Sequence, residues 1–79
     1  MFLRRVGPDP HAGGVATPGC HGCPDIWELT SGDFAVIGAN ITEKASELPP
    51  TASCGPDECI VKIPRRTLVL AKAEIPDRI

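Results

Sequence analysis

Tyrosine is absent from this chain, and its aromatic side chains are one tryptophan and two phenylalanines. Proteins that grip single-stranded nucleic acid set several aromatics along a basic groove. The basic half of that arrangement is missing too, because 8 Lys and Arg face 10 Asp and Glu for a net charge of -2. Direct nucleic-acid binding is therefore not expected. Long apolar runs are also lacking: nothing approaches the roughly 20 residues that a membrane-spanning helix needs. The short basic start, Met1 to Val6, leads into Gly7-Pro8-Asp9-Pro10 instead of the apolar stretch of a secretory signal. The expectation is a cytoplasmic protein with no membrane contact, in a compartment that keeps thiols reduced. Motifs of catalysis are absent as well, with no P-loop, no G-x-G-x-x-G and no G-x-S-x-G. Both histidines, His11 and His21, fall in a Pro/Gly-rich stretch that would not hold a general acid or base in place. An enzyme is not expected.

What is present is one small folding unit. A chain of 79 residues is room for a single domain that buries only about 60% of its unfolded surface. Nine prolines and eight glycines interrupt regular structure wherever they fall. Scaffolds of this size often need a metal, a disulfide or a partner subunit, so a homo-oligomer is compatible with the composition. Residues 7–24, GPDPHAGGVATPGCHGCP, have almost no apolar periodicity and the make-up of a flexible arm. The division expected is a disordered arm over residues 1–24, outside the core, and a domain over 25–79.

Within the domain, Asp25-Ile26-Trp27-Glu28-Leu29 and Phe34-Ala35-Val36-Ile37 are short β-prone runs. The turn Thr30-Ser31-Gly32-Asp33 between them lets Gly32 take a positive φ, so the pair reads as a β-hairpin. Period-two alternation puts Trp27 and Leu29 on one face and Ile26 on the other. Both faces carry apolar groups, which calls for cover on at least one side and in part on the other. Asn40, three residues before Glu43, resembles a capping box over a short helical turn from Ile41 to Glu47. Cys59-Ile60-Val61-Lys62-Ile63 is the third strand candidate. Residues 64–75 fit a helix started by Pro64 and stopped by Pro76, with Leu68, Ala71 or Lys72, and Ile75 in helical phase; Thr67 to Leu70 also suits a strand. The fold class is then α+β: a small antiparallel sheet, made of the hairpin and a third strand, with one C-terminal helix.

The charged and aromatic residues admit plain readings. Arg4-Arg5 and Lys62 with Arg65-Arg66 read as a solvated rim, with contact to an acid group or phosphate as the sharper alternative. Asp25, Glu28, Asp33, Asp57 and Glu58 read as solubilising charges at strand ends and turns. Trp27 and Phe34 are expected to pair across the hairpin as core.

The four cysteines are the only constellation with obvious chemistry. Cys20-x-x-Cys23 and Cys54-x-x-x-x-Cys59 could supply the four soft tetrahedral ligands that zinc prefers, giving a ribbon-like structural module. Against this, the 30 residues between the pairs exceed the usual spacing of about 15–20. Cys23 is followed by Pro24 and Cys59 by Ile60, where a ribbon knuckle has glycine. Cys59 also opens an apolar strand, in which a free thiol packs as a small hydrophobe. Zinc at Cys20, Cys23, Cys54 and Cys59 thus stands as the alternative to structural free thiols, with a disulfide or redox role as a third reading. No catalytic or cofactor-binding residue is assigned.

The stretches CPDIWELTSGDFAVIG, ASCGPDE and IVKIPRRTLVLAK resemble a family of small actinobacterial proteins, those of Streptomyces in particular. The order of elements, a Cys-led strand, a Gly turn, an Ala-Val strand and a strand entering a Pro-started helix, is similar to the DUF397 domain. That resemblance implies a regulatory companion that binds a helix-turn-helix transcriptional regulator, and it carries over no catalytic or ligand residue.

Overall fold

The centre of the molecule follows from one local signal, two apolar runs joined by a glycine-bearing turn. In the computed structural model, which describes residues 1–9 and 24–79, strand β2 (Asp25–Leu29) pairs antiparallel with β3 (Phe34–Ile37). Gly32 closes the turn with its N–H on Leu29 O at 2.9 Å and a φ of 93°. That left-handed conformation costs glycine nothing and a side-chain-bearing residue about 1 kcal/mol or more.

The third strand of this sheet is not the segment the sequence pattern suggests. Strand β1 (Phe2–Arg5) lies antiparallel along the other side of β2, giving the order β1-β2-β3. A bulge interrupts its register between Phe2 and Arg4, at Leu3. The expected arm over residues 1–24 is therefore corrected at its beginning: residues 2–5 are strand, and Val6 is core. Residues 10–23 lie outside the described residues, and with them His11, His21, Cys20 and Cys23.

The Cys59–Ile63 run forms only the two-residue strand β5 (Val61–Lys62), which pairs with β4 (Ala39–Asn40) as a separate small sheet. Gly38 joins β3 to β4 where the chains nearly touch. A Cβ there would lie 2.5 Å from Lys62 O, closer than any side chain tolerates. Between β4 and β5, Thr42–Glu47 forms a 3-10 helix. Just before it, Asn40 Oδ1 accepts Thr42 N–H at 3.0 Å and the Thr42 hydroxyl at 2.6 Å. This is a side-chain-to-backbone turn, without the reciprocal Glu43 bond of a capping box.

Pro64 precedes helix α1 (Arg65–Ala71), which tightens into a 3-10 turn over Lys72–Glu74 before Pro76. Helix wins over strand here. It is shorter than the 64–75 pattern suggests, and Leu68 points to solvent, leaving Ala71 as its buried residue.

Register assigns the sheet's faces. Val6, Ile26, Phe34 and Val36 share one side with Arg4 and Glu28; Phe2, Arg5, Asp25, Trp27, Leu29, Ala35 and Ile37 share the other. The first side meets α1 through a core of Val6, Ile26 and Ala71, flanked by Ile63 and Ile75. Burying Val6 and Ile26 contributes about 1.5–3 kcal/mol each. Gly7, at φ 87°, lets the chain pass so close that a Cβ would meet Ala71 Cα at 3.2 Å. On the second side Phe2 and Ile37 are exposed, and Trp27, Leu29 and Ala35 are half-buried.

Candidate functional site

The residues that stand out chemically gather on that second side, and they begin with alternation. Asp25 and Trp27 are two apart on β2, so both side chains rise from the same face. Arg5 of β1 lies directly opposite Trp27. The Asp25 carboxylate accepts Trp27 Nε1–H at 2.9 Å, Ile26 N–H at 3.0 Å and Arg5 Nε–H at 3.0 and 3.1 Å to its two oxygens. Asp25 is nearly buried, and three donor groups replace the water it has lost, as a buried carboxylate requires. The bond to Asp25 raises the Arg5 pKa above its ordinary value, against a smaller desolvation effect. The guanidinium carbon sits 4.6 Å from the centroid of the Trp27 ring, a cation–π contact. Phe2 meets the same indole edge-on, with centroids 6.2 Å apart and planes at 77°.

Leu29, Ala35 and Ile37 extend this row across the sheet. Phe2 is 63% exposed, so an aromatic and an aliphatic flank a charged pair that is already fixed in place.

On the opposite side, Arg4 ties the ends of the described structure together. Its Nε–H donates to Glu28 Oε1 at 2.7 Å and an NH2 proton to Glu74 O at 3.1 Å. Gly7 N–H donates to Glu74 Oε2 at 2.8 Å. Both arginines thus contact acids of their own chain, while Lys62, Arg65 and Arg66 are exposed, and Asp25 and Glu28 are structural partners instead of solvated rim charges.

Several sequence expectations resolve differently. Trp27 and Phe34 do not pair: Trp27 opposes Ala35, while Phe34 opposes Glu28 on the other face. Of the four proposed zinc ligands, the structure places two. The Cys54 thiol donates to Glu58 O at 3.3 Å within its own turn, and Cys59 is exposed; both are free. Among the described residues, no three His, Cys, Asp or Glu side chains converge as a metal cluster. No helix among them is long and apolar enough to cross a membrane. An open depression of about 630 Å³ beside the C-terminal turn is lined by residues including Lys72, Glu74 and Asp77, and contains no nucleophile–base pair.

Arg5 and Phe2 are absent from the site as read from sequence. A four-residue strand of largely exposed side chains has too little periodicity to announce itself. Asp25 carried a usable signal, its i, i+2 relation to Trp27.

Comparison with known proteins returns no match to the chain, whether among family models, curated proteins or solved structures.

Proposed function

We propose that the chain is a non-catalytic regulatory companion that binds a protein partner through the sheet face that carries Trp27, a helix-turn-helix transcriptional regulator being the partner class. The observation that carries this reading is the apolar row Phe2, Trp27, Leu29, Ala35 and Ile37, exposed at Phe2 and Ile37 and half-buried between them, with the Arg5–Asp25 pair fixed among it. Aromatic and arginine side chains held rigid before contact are the usual anchors of a protein interface, because little conformational entropy remains to be lost on binding. The sequence resemblance supplies the class of partner. The negative net charge supports action through such a protein instead of through DNA directly.

The test is titration calorimetry of the full chain against the helix-turn-helix protein encoded nearest its gene. Phe2→Asp and Ile37→Asp should each weaken binding by about tenfold or more, which is the loss of one buried apolar anchor. Failure to form a complex, or binding by both variants as tight as that of the unaltered chain, would remove the proposal.

A further inference from the structure

The two edges of the three-stranded sheet are built differently. β1 carries two arginines and the bulge at Leu3, devices that keep an edge strand from pairing with another chain. β3 has neither. Its residues, Phe34-Ala35-Val36-Ile37, include no charge, proline or glycine, and their register with β2 is unbroken. Phe34, Val36 and Ile37 are 38%, 42% and 45% exposed. Among the described residues no strand lies beyond β3.

The outward-facing main-chain groups can be assigned. Leu29 N–H donates to Asp33 O, so Asp33 directs its main chain toward β2, as do Ala35 opposite Trp27 and Ile37 opposite Asp25. Alternation then directs the N–H and C=O of Phe34 and Val36 away from the sheet. Past Gly38 the odd residues are again the ones engaged: Ala39 opposes Lys62, and Ile41 N–H donates to Ile60 O. Among the described residues, no strand pairs with the even-numbered side of the run.

We infer that a second copy of this chain pairs along that edge, β3 against β3, antiparallel about a two-fold axis through Ala35. An axis perpendicular to the sheet keeps like faces together and sets Phe34 opposite the second copy's Val36, twice. Each such pair joins residues whose N–H and C=O both point outward, so both bonds of a closely spaced ladder pair form and all the free groups of Phe34 and Val36 are used. The neighbouring registers do worse. Centring on Val36 sets Phe34 against Gly38, and centring on Phe34 sets Val36 against Gly32. A one-residue slip would turn apolar side chains to opposite faces. In the Ala35 register, Asp33 lies beside the second copy's Ile37, so the two Asp33 carboxylates sit at opposite ends of the ladder. This match is a property of the strand with itself, which is why the occupant is a second copy rather than an unrelated strand. The inference does not rest on the partner-binding reading: Ala35 and Ile37 belong to both surfaces, but Phe34 and Val36, which carry the pairing, project from the other side of the sheet.

Sedimentation of the full chain across a dilution series on the order of a hundredfold reads the assembly directly. The mass should rise to twice the 8.3 kDa of the monomer at the concentrated end. Val36→Pro removes a donor that only the second copy uses, a substitution edge strands accept, and Val36→Lys sets a charge beside the second copy's Phe34; both should hold the chain at monomer mass. Amide exchange on the unaltered protein covers the case in which a variant fails to fold. Phe34 and Val36 amides should exchange more slowly as concentration rises, while the inward-facing Ala35 amide should stay constant. A monomer throughout the series, a dimer that survives Val36→Pro, or Phe34 and Val36 amides indifferent to concentration would each overturn the inference.

Discussion

Trp27 donates its indole N–H to Asp25, two residues earlier on the same strand, at 2.9 Å. The bond makes a nearly buried carboxylate the meeting point of an aromatic side chain, the β2 backbone and Arg5 of the neighbouring strand. Asp25→Asn keeps the shape but removes the charge that Arg5 needs, and turns an amide toward donors. The cost expected is about 1.5–3 kcal/mol. In a domain this small that is a fall in Tm of about 10 °C, read by thermal denaturation with tryptophan emission shifting red as the indole loses its acceptor. An unchanged melting curve would mean that water satisfies these groups equally well.

Residues 1–6 should be required for folding. Removing them strips β2 of a neighbour and takes Val6 from a core whose other members are Ile26 and Ala71. A chain beginning at Gly7 should show no cooperative urea transition, because the loss exceeds the few kcal/mol that so small a core supplies. A sharp transition in that truncation would reinstate the N-terminal segment as a dispensable arm.

Gly7 and Gly32 both have positive φ, but only Gly7 is crowded. Gly32→Ala should cost about 1 kcal/mol from conformation alone. Gly7→Ala adds the collision with Ala71 and should cost about twice that or more. Urea denaturation midpoints of the two variants separate the contributions, and equal midpoints would contradict the close packing at Ala71.

Arg5→Lys is not conservative at this site. An ammonium cannot address both Asp25 oxygens from Nε while lying flat on the Trp27 ring. A loss of about 1 kcal/mol is expected. The raised Arg5 pKa fixes the sign of any pH effect: a group whose pKa rises on folding stabilises fully below its unfolded value and loses that only above it. The unfolded value of arginine is itself strongly alkaline, so the difference between the two proteins should stay constant from pH 6 to 9. A difference that varied with pH across that window would point to another titrating group.

Much of the fold can be read from short-range features. The hairpin is legible because its strands, turn and glycine are contiguous, so local preference and tertiary pairing agree. Pro64 marks the helix start for the same reason. β1 was not legible: Phe2 to Arg5 become a strand only because β2 offers a free side, and nothing in FLRR alternates. The Cys59–Ile63 run looked like the third strand by composition, yet the tight approach at Gly38 directs it to β4. Trp27 and Phe34 were misjudged as a pair because the facing partners depend on register, which the three-residue turn sets one position away. On the candidate site, Trp27 was visible and its role was not, since the partners that define it, Arg5 and Phe2, come from a segment with no pattern of its own.

The core contact between Val6 and Ala71, reinforced by the Gly7–Glu74 hydrogen bond, has a consequence for biosynthesis. The residues that must meet are separated by more than sixty positions, so loop closure is nearly as long as the described chain allows. A nascent chain that has not yet released Ala71 can form the hairpin but cannot seal it, so the first side of the sheet stays open to solvent until the helix segment arrives.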